Sequence, residues 1–159
     1  MLVLGACRDG AGEIDLVLPY RAFQRGDEAA ARAMVEAVRE TCPDTLLKVI
    51  LETGELREAG TIRAAADLAL AAGADFLKTS TGKSPVSATP EAVRILLDAV
   101  RASGRPAGVK VSGGLRTLDD AAAYLTLADR AMGPAWARPA TFRLGASGLF
   151  DVLVQSREG

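Results

Sequence analysis

Residues 75–80, DFLKTS, form a short β-type run in which a charged residue, Lys78, follows two apolar ones. Similar runs recur along the chain, and comparable points in successive runs lie roughly 30 residues apart, the length that a strand, a crossover helix and two loops need. The five predicted strands cover residues 14–19, 46–52, 75–80, 107–113 and 141–146.

The segments between these runs carry helix signals. Residues 27–41 and 61–72 are rich in alanine and place apolar residues at helical spacing. Thr89 before a proline, and a capping box that begins at Thr117, predict the starts of two further helices. Residues 2–9 are typical of the end of a helix that precedes the first strand. Alternating strands and helices predict an α/β fold with a parallel sheet.

Composition narrows the function classes. The chain has 159 residues, 49% of them hydrophobic, and a net charge of -1, which suits one globular domain and gives no reason to expect a nucleic-acid or membrane partner. It contains no histidine, which excludes Ser-His-Asp and Cys-His catalysis and histidine-ligated metal sites. Proton transfer at neutral pH must therefore use carboxylates or lysines.

The two cysteines and the apolar segments bear on location. Cys7 and Cys42 fall in no metal-like or CxxC spacing, so reduced thiols and a cytoplasmic location are expected. Residues 1–6 are apolar but too short, and lack the basic leader, for a signal peptide. The sequence has no run of about 18 apolar residues, so no membrane span is predicted.

Charged residues interrupt strands that should be apolar if both faces of the sheet are covered. They are Asp15, Lys48, Lys78 and Lys110, at comparable points of four successive runs. Strand alternation places Lys78 and Lys110 on the face opposite their apolar neighbours, which in a (β/α) barrel is the interior. Two interpretations stay open at this point: a functional polar cluster, or a structural ion-pair network.

Two glycine-rich loops follow the last two runs. They are residues 112–116, SGGLR, and residues 145–148, GASG. Backbone N–H groups in such loops can bind an anion, and barrels commonly bind phosphate after their last two strands. The two loops together predict a phosphorylated ligand, to which residues 79–83, TSTGK, could add hydroxyl groups and a cation.

Five ordered motifs resemble the class I deoxyribose-phosphate aldolase family, over about residues 10–153. They are EIDLVLPYR (13–21), LKVILETGEL (47–56), FLKTSTGK (76–83), VKVSGGLR (109–116) and FRLGAS (142–147). The resemblance implies a TIM-barrel fold truncated to about five βα units, so that residues 1–159 form a single partial (β/α)-barrel domain. A complete barrel of this kind takes about 250 residues, and the family's first three strands have no counterpart here.

The resemblance also implies roles. Lys78 matches the Schiff-base lysine, Lys110 the second lysine and Asp15 the aspartate of the proton relay. Residues expected to bind substrate and phosphate are Thr81, Gly82, Lys83, Gly113, Gly114, Arg116, Gly145 and Ser147. Lys48 and Glu52 are expected either to support the relay or to form a structural ion pair.

The implied reaction is the reversible cleavage of 2-deoxy-D-ribose 5-phosphate to acetaldehyde and D-glyceraldehyde 3-phosphate, without metal or other cofactor. It belongs to carbohydrate degradation and deoxyribonucleotide catabolism. The residues themselves are consistent with this reaction. A lysine is a nucleophile only when neutral, and a neighbouring ammonium disfavours the charged form. Lys110 beside Lys78 would thus increase the reactive fraction.

Two alternatives and one departure remain. The chain could be a noncatalytic barrel fragment or phosphosugar-binding module that needs a partner to complete the barrel, or a different lysine-dependent aldolase. Exposed sheet edges favour a homo-oligomer or a missing N-terminal portion. Where the family usually has a second serine after the position of Ser147, this chain has Gly148, which predicts weaker phosphate selectivity.

Overall fold

A computed structural model describes residues 2–145, 148–150 and 154. Its helices and strands alternate as the sequence predicts. In chain order they are α1 (Leu2–Arg8), β1 (Glu13–Val17), α2 (Tyr20–Gln24), α3 (Glu28–Thr41), β2 (Leu46–Ile50), α4 (Thr53–Leu56), α5 (Ala59–Ala71), β3 (Phe76–Lys78), α6 (Pro90–Ser103), β4 (Gly108–Ser112), α7 (Leu118–Met132) and β5 (Phe142–Gly145).

The five strands form one parallel sheet in the order β1-β2-β3-β4-β5. Sequential order with helical crossovers is the βα architecture of barrel-type folds, so the α/β prediction is confirmed. The core lies between the sheet and its helices, where Val49, Leu77, Val109 and Val111 are fully buried. Because successive strand residues point to opposite faces, the residues between them point away from this core.

The predicted helix starts are also confirmed. The Thr89 side chain accepts a hydrogen bond from the Ala92 N–H, directly before Pro90 at the first helical position. Thr117 and Asp120 form a reciprocal capping box at the start of α7. The short helices α2 and α4 were not predicted, since each is shorter than the two turns that a periodic pattern needs to show.

The expectation of reduced cysteines is wrong. Cys7 of α1 and Cys42, directly after α3, form a disulfide with their Cα atoms 6.3 Å apart. Spacing rules detect cysteines that are close in sequence, whereas this pair is 35 residues apart and is brought together because α1 packs against α3. No helix in the described part of the chain combines the length and apolarity needed to cross a bilayer.

Reduction of the Cys7–Cys42 disulfide is expected to lower the free energy of unfolding by roughly 2–4 kcal/mol, because the bond closes a long loop in the unfolded chain. Urea unfolding with and without a phosphine reductant measures the difference. A Cys7→Ser/Cys42→Ser double variant should be insensitive to the reductant. Two free thiols titrated in the denatured, air-oxidised chain would contradict the pairing.

Candidate active site

The polar side chains of the strands gather on the sheet face that the helices leave open. Residue partners across neighbouring strands are Asp15 with Lys48, and Lys78 with Lys110. Lys110 lies between the buried Val109 and Val111, so alternation turns it away from the core as predicted.

Asp15 is the centre of the cluster. Its Oδ2 accepts a hydrogen bond from the Lys78 Nζ at 2.7 Å, and its Oδ1 accepts one from the Lys48 Nζ at 2.8 Å. The Lys110 Nζ lies 3.8 Å from the same Oδ2. The structure therefore brings the three predicted catalytic residues, Lys78, Lys110 and Asp15, together at one carboxylate.

The three lysines do not lie at one level of the sheet. Lys48 pairs with Phe76, whereas Lys78 pairs with Ile50, so Lys48 sits two residues below Lys78. The sequence repeat placed them at equivalent points because it cannot show the stagger between strands that a tilted, barrel-type sheet requires. The side chain of Lys48 is accordingly only 4% exposed, against 12% for Lys78 and 22% for Lys110.

The environment of the site lowers the pKa of its central carboxylate, Asp15, and that of one of its amines, Lys110. Partial burial opposes ionisation of Asp15, but hydrogen bonds from Lys48 and Lys78 outweigh it and lower the pKa of Asp15 to about 2. Burial, followed by the positive charge of Lys78, lowers the pKa of Lys110 below the ordinary lysine value. At neutral pH the site thus holds an ionised carboxylate beside an amine that releases its proton more readily than usual.

A cavity of about 540 Å³ opens at the carboxyl ends of β3, β4 and β5. It is lined by predicted binding residues from all three loops together with Ser112, Leu115 and Gly148; the predicted ones are Thr81, Gly82, Gly113, Gly114, Arg116 and Gly145. Lys83 is exposed and is not part of this lining. Ser147 lies outside the described residues.

The glycine loops are built for close approach. Gly113 has φ +83°, and a Cβ there would lie 2.5 Å from the Ser87 Oγ, so only glycine fits without displacement. The Gly113 N–H donates to the Gly145 carbonyl, which removes that amide from anion binding. The N–H groups of Gly82 and Gly114 have no acceptor among the described residues, which makes them the better anion donors of these loops.

Glu52 binds the TSTGK loop. It is buried, and its carboxylate accepts hydrogen bonds from the Thr81 hydroxyl at 2.6 Å and from the Thr81 N–H at 3.2 Å. Its φ of +57° turns the chain at the end of β2 toward that loop. Among the described residues Lys48 pairs with Glu13 and Asp15 and not with Glu52, whose carboxylate fixes the TSTGK loop through Thr81. A supporting role of Glu52 in the relay stays a prediction.

Glu13 and Arg143 belong to the cluster, and the sequence interpretation missed both. The Arg143 Nη1 lies 2.8 and 2.9 Å from the two Glu13 carboxylate oxygens, and the Lys48 Nζ lies 2.7 Å from Glu13. Arg143 is the partner of Lys110 across β4 and β5. The available signal was the alternation of Phe142 and Leu144, which turns Arg143 to the charged face.

The open face of the parallel βα sheet carries a cluster of lysines and carboxylates. A glycine-lined cavity opens at the carboxyl ends of the strands. Together these features define a protein of the (β/α)-barrel class with lysines in its site. Residues 2–142 match the model of the DeoC/LacD family aldolases. The chain belongs to this family.

The chain is also similar to individual proteins named as deoxyribose-phosphate aldolases. The chain is 56% identical over 155 residues to the deoxyribose-phosphate aldolase of Agrobacterium fabrum, covering 97% of this chain and 60% of that protein. Two solved structures bear the provisional name deoxyribose-phosphate aldolase. The one from Coccidioides immitis is 35% identical with a TM-score of 0.81, over 98% of this chain and 56% of that one. The one from Toxoplasma gondii is 32% identical with a TM-score of 0.87, over 98% and 62%. The chain thus spans about three fifths of the length of these relatives.

Proposed function

We propose that the chain acts as a class I aldolase that cleaves 2-deoxy-D-ribose 5-phosphate reversibly to acetaldehyde and D-glyceraldehyde 3-phosphate. The observation that carries this proposal is the sharing of one Asp15 oxygen by Lys78 and Lys110, on adjacent strands beside the glycine-lined cavity. Preservation of this geometry favours an aldolase over a noncatalytic phosphosugar-binding fragment.

Lys78 is the proposed nucleophile. Its neutral Nζ attacks the C1 carbonyl of the open-chain sugar, and the carbinolamine loses water to give an iminium. A base removes the C3 hydroxyl proton, the C2–C3 bond breaks, and its electron pair moves into the iminium to leave an enamine as glyceraldehyde 3-phosphate departs. Protonation of the enamine methylene carbon and hydrolysis release acetaldehyde and restore the lysine. The iminium is the electron sink, so the scheme needs no metal or other cofactor.

Lys110 and Asp15 are the proposed proton carriers. Burial and the charge of Lys78 lower the pKa of Lys110, so Lys110 can accept a proton and return it. Asp15, ionised at any pH well above 2, holds the Lys78 amine at 2.7 Å and lies within reach of Lys110. A chain without histidine can thus carry out general acid–base chemistry with lysine and aspartate.

The cavity beside these residues is the proposed phosphate site. Its volume of about 540 Å³ suits a small sugar phosphate. Gly82, Gly114 and Arg116 line it, so two backbone amides and one guanidinium are available there as donors and charge for a phosphate group. The outer edges of β1 and β5 are where strands of a further copy or chain segment would pair to complete the barrel. A cytoplasmic location remains a prediction.

Reductive trapping tests the proposal. The purified chain is incubated with acetaldehyde and borohydride, and its intact mass is measured beside a size-exclusion profile and an assay of 2-deoxyribose 5-phosphate cleavage. A single two-carbon adduct together with glyceraldehyde 3-phosphate release supports the aldolase. A folded chain that gives neither product would contradict the aldolase proposal and favour the noncatalytic binding module.

Replacing Gly148 with serine is expected to raise the preference for phosphorylated over free deoxyribose. Gly148 lines the cavity, and a Cβ there would meet nothing within 4 Å, so a serine fits and adds a hydroxyl donor. A neutral donor to a charged phosphate is worth about 1–2 kcal/mol, so the ratio of kcat/KM values should rise about tenfold. An unchanged ratio in a folded Gly148→Ser variant would contradict the phosphate assignment of this cavity.

A further inference from the structure

Four charged side chains form a line of alternating sign that crosses the open face of the sheet. Arg143 on β5 binds Glu13 on β1 through both carboxylate oxygens, at 2.8 and 2.9 Å. Glu13 binds Lys48 on β2 at 2.7 Å, and Lys48 binds the Oδ1 of Asp15 at 2.8 Å. The other oxygen of Asp15 is the one that Lys78 uses. The line therefore ends at the proposed nucleophile.

Arg143 is held in place on several sides. Its guanidinium stacks over the Phe76 ring at 4.7 Å, and its Nε donates to the Pro139 carbonyl at 2.8 Å. The Phe76 ring in turn occupies the space that Gly108 leaves, since a Cβ on Gly108 would lie 2.5 Å from the ring. A guanidinium fixed in this way, with one nitrogen, Nη1, within hydrogen-bond distance of both Glu13 oxygens, determines where the Glu13 carboxylate lies.

Because Arg143 and Glu13 lie on the two outermost strands of the sheet, their contact spans its open face. The contact ties β1, which carries Asp15, to β5. The position of Asp15 relative to Lys78 and Lys110 depends on the same curvature of the sheet.

We propose that Glu13 and Arg143 are positioning residues of the site: they hold Lys48 on one oxygen of Asp15 and so leave the other oxygen to Lys78. Lys48 is 4% exposed, and its Nζ lies 2.7 Å from Glu13 and 2.8 Å from Asp15. Without Glu13, Lys48 would draw Asp15 toward itself and away from Lys78. The inference rests on the proposed aldolase function, and its test is arranged so that the two can fail separately.

The test is the pH dependence of Lys78 trapping by acetaldehyde and cyanoborohydride in the full chain. The charged groups of the cluster are Glu13 and Asp15 from β1, Lys48 from β2, Lys110 from β4 and Arg143 from β5. Glu13→Gln removes a negative charge and should move the midpoint of the rising limb to lower pH by about half a unit or more. Arg143→Met removes a positive charge and should move it to higher pH.

Positioning is separated from charge by the plateau rate. Both single variants should lower the plateau about tenfold, because each releases Lys48 from its place. In the Glu13→Gln/Arg143→Met double variant the net charge is restored, so the midpoint should return while the plateau stays low. Arg143→Lys keeps the charge but loses the Nε bond to the Pro139 carbonyl and the guanidinium plane over Phe76, so it should lower the plateau without moving the midpoint.

A matched control is the exposed ion pair between Arg63 and Asp67 on α5, at 2.9 Å. Arg63→Gln and Asp67→Asn make the same charge changes and should alter neither midpoint nor plateau. An unchanged plateau in folded Glu13→Gln and Arg143→Lys, or a plateau restored in the double variant, overturns the proposal. If either charge-removing variant fails to fold, Arg143→Lys decides.

A second measurement covers failure of the aldolase proposal itself. If the unmodified chain gives no adduct, acetylation of each lysine by acetic anhydride is followed by peptide mass spectrometry. Glu13→Gln should then raise the acetylation rate of Lys48 relative to the exposed Lys83. An unchanged ratio overturns the positioning inference independently of imine chemistry.

Discussion

Replacing Lys78 with methionine is expected to abolish the two-carbon adduct and to lower 2-deoxyribose 5-phosphate cleavage by at least about three orders of magnitude, because no other group then supplies the iminium electron sink. Methionine has a similar length and no charge. The fold should tolerate it, since Lys78 points to the open face of the sheet and not into the helix-covered core. Intact mass after borohydride trapping measures the adduct, and a thermal unfolding curve confirms the fold.

The chain has four lysines, and the exposed Lys83 provides the control. Lys83→Met should still be trapped by acetaldehyde, since Lys83 is exposed and acetaldehyde carries no phosphate. Peptide mapping of the unmodified chain should place the adduct on Lys78. An adduct on Lys110, whose pKa burial lowers, would contradict the assignment and move the Schiff base one strand across the sheet.

Most of the fold could be predicted from local signals. Strand runs of the βα repeat length and the caps at Thr89 and Thr117 are decided within a few residues of sequence. The structure has both caps, and a strand overlaps each predicted run, although every strand is shorter than predicted. The Cys7–Cys42 disulfide could not be predicted in this way. It depends on how α1 lies against the end of α3, which no pattern in either segment specifies.

Within the site, strand alternation correctly predicted the face that Lys78 and Lys110 occupy, but the sequence did not predict the register between neighbouring strands. Alternation placed Lys78 and Lys110 on one face, and the structure shows them as partners. The register between neighbouring strands determines that Lys48 lies two residues below Lys78 and that Arg143 pairs with Lys110. A single strand sequence does not specify this register. The contact between Glu52 and Thr81 could not be predicted either, because it depends on the left-handed turn at Glu52 and not on sequence spacing.

Replacing Asp15 with asparagine is expected to lower the exchange of acetaldehyde methyl protons in D₂O by roughly 10²–10⁴-fold, the usual contribution of a positioned proton-transfer group. The adduct on Lys78 should still form, although more slowly, because imine formation needs the amine and not the carboxylate. Methyl exchange reports enamine formation and reprotonation, so comparing it with trapping separates the relay from the nucleophile. Equal losses in both measurements would contradict a relay role for Asp15.

The same variant makes a prediction about acid stability whose sign follows from the pKa of Asp15. Its folded value of about 2 lies below the ordinary 3.8, so the stabilisation is complete above about pH 4 and is lost as the pH falls toward 2. Asp15→Asn should therefore cost roughly 1–2 kcal/mol at pH 7, a value reduced because the carboxylate is one-third exposed. Its free energy of unfolding should also change less between pH 4 and pH 2 than that of the unmodified chain. Parallel acid slopes for the two proteins would mean that the lysines do not hold Asp15 as the structure shows. Asp15 could then not present the Lys78 amine to an aldehyde.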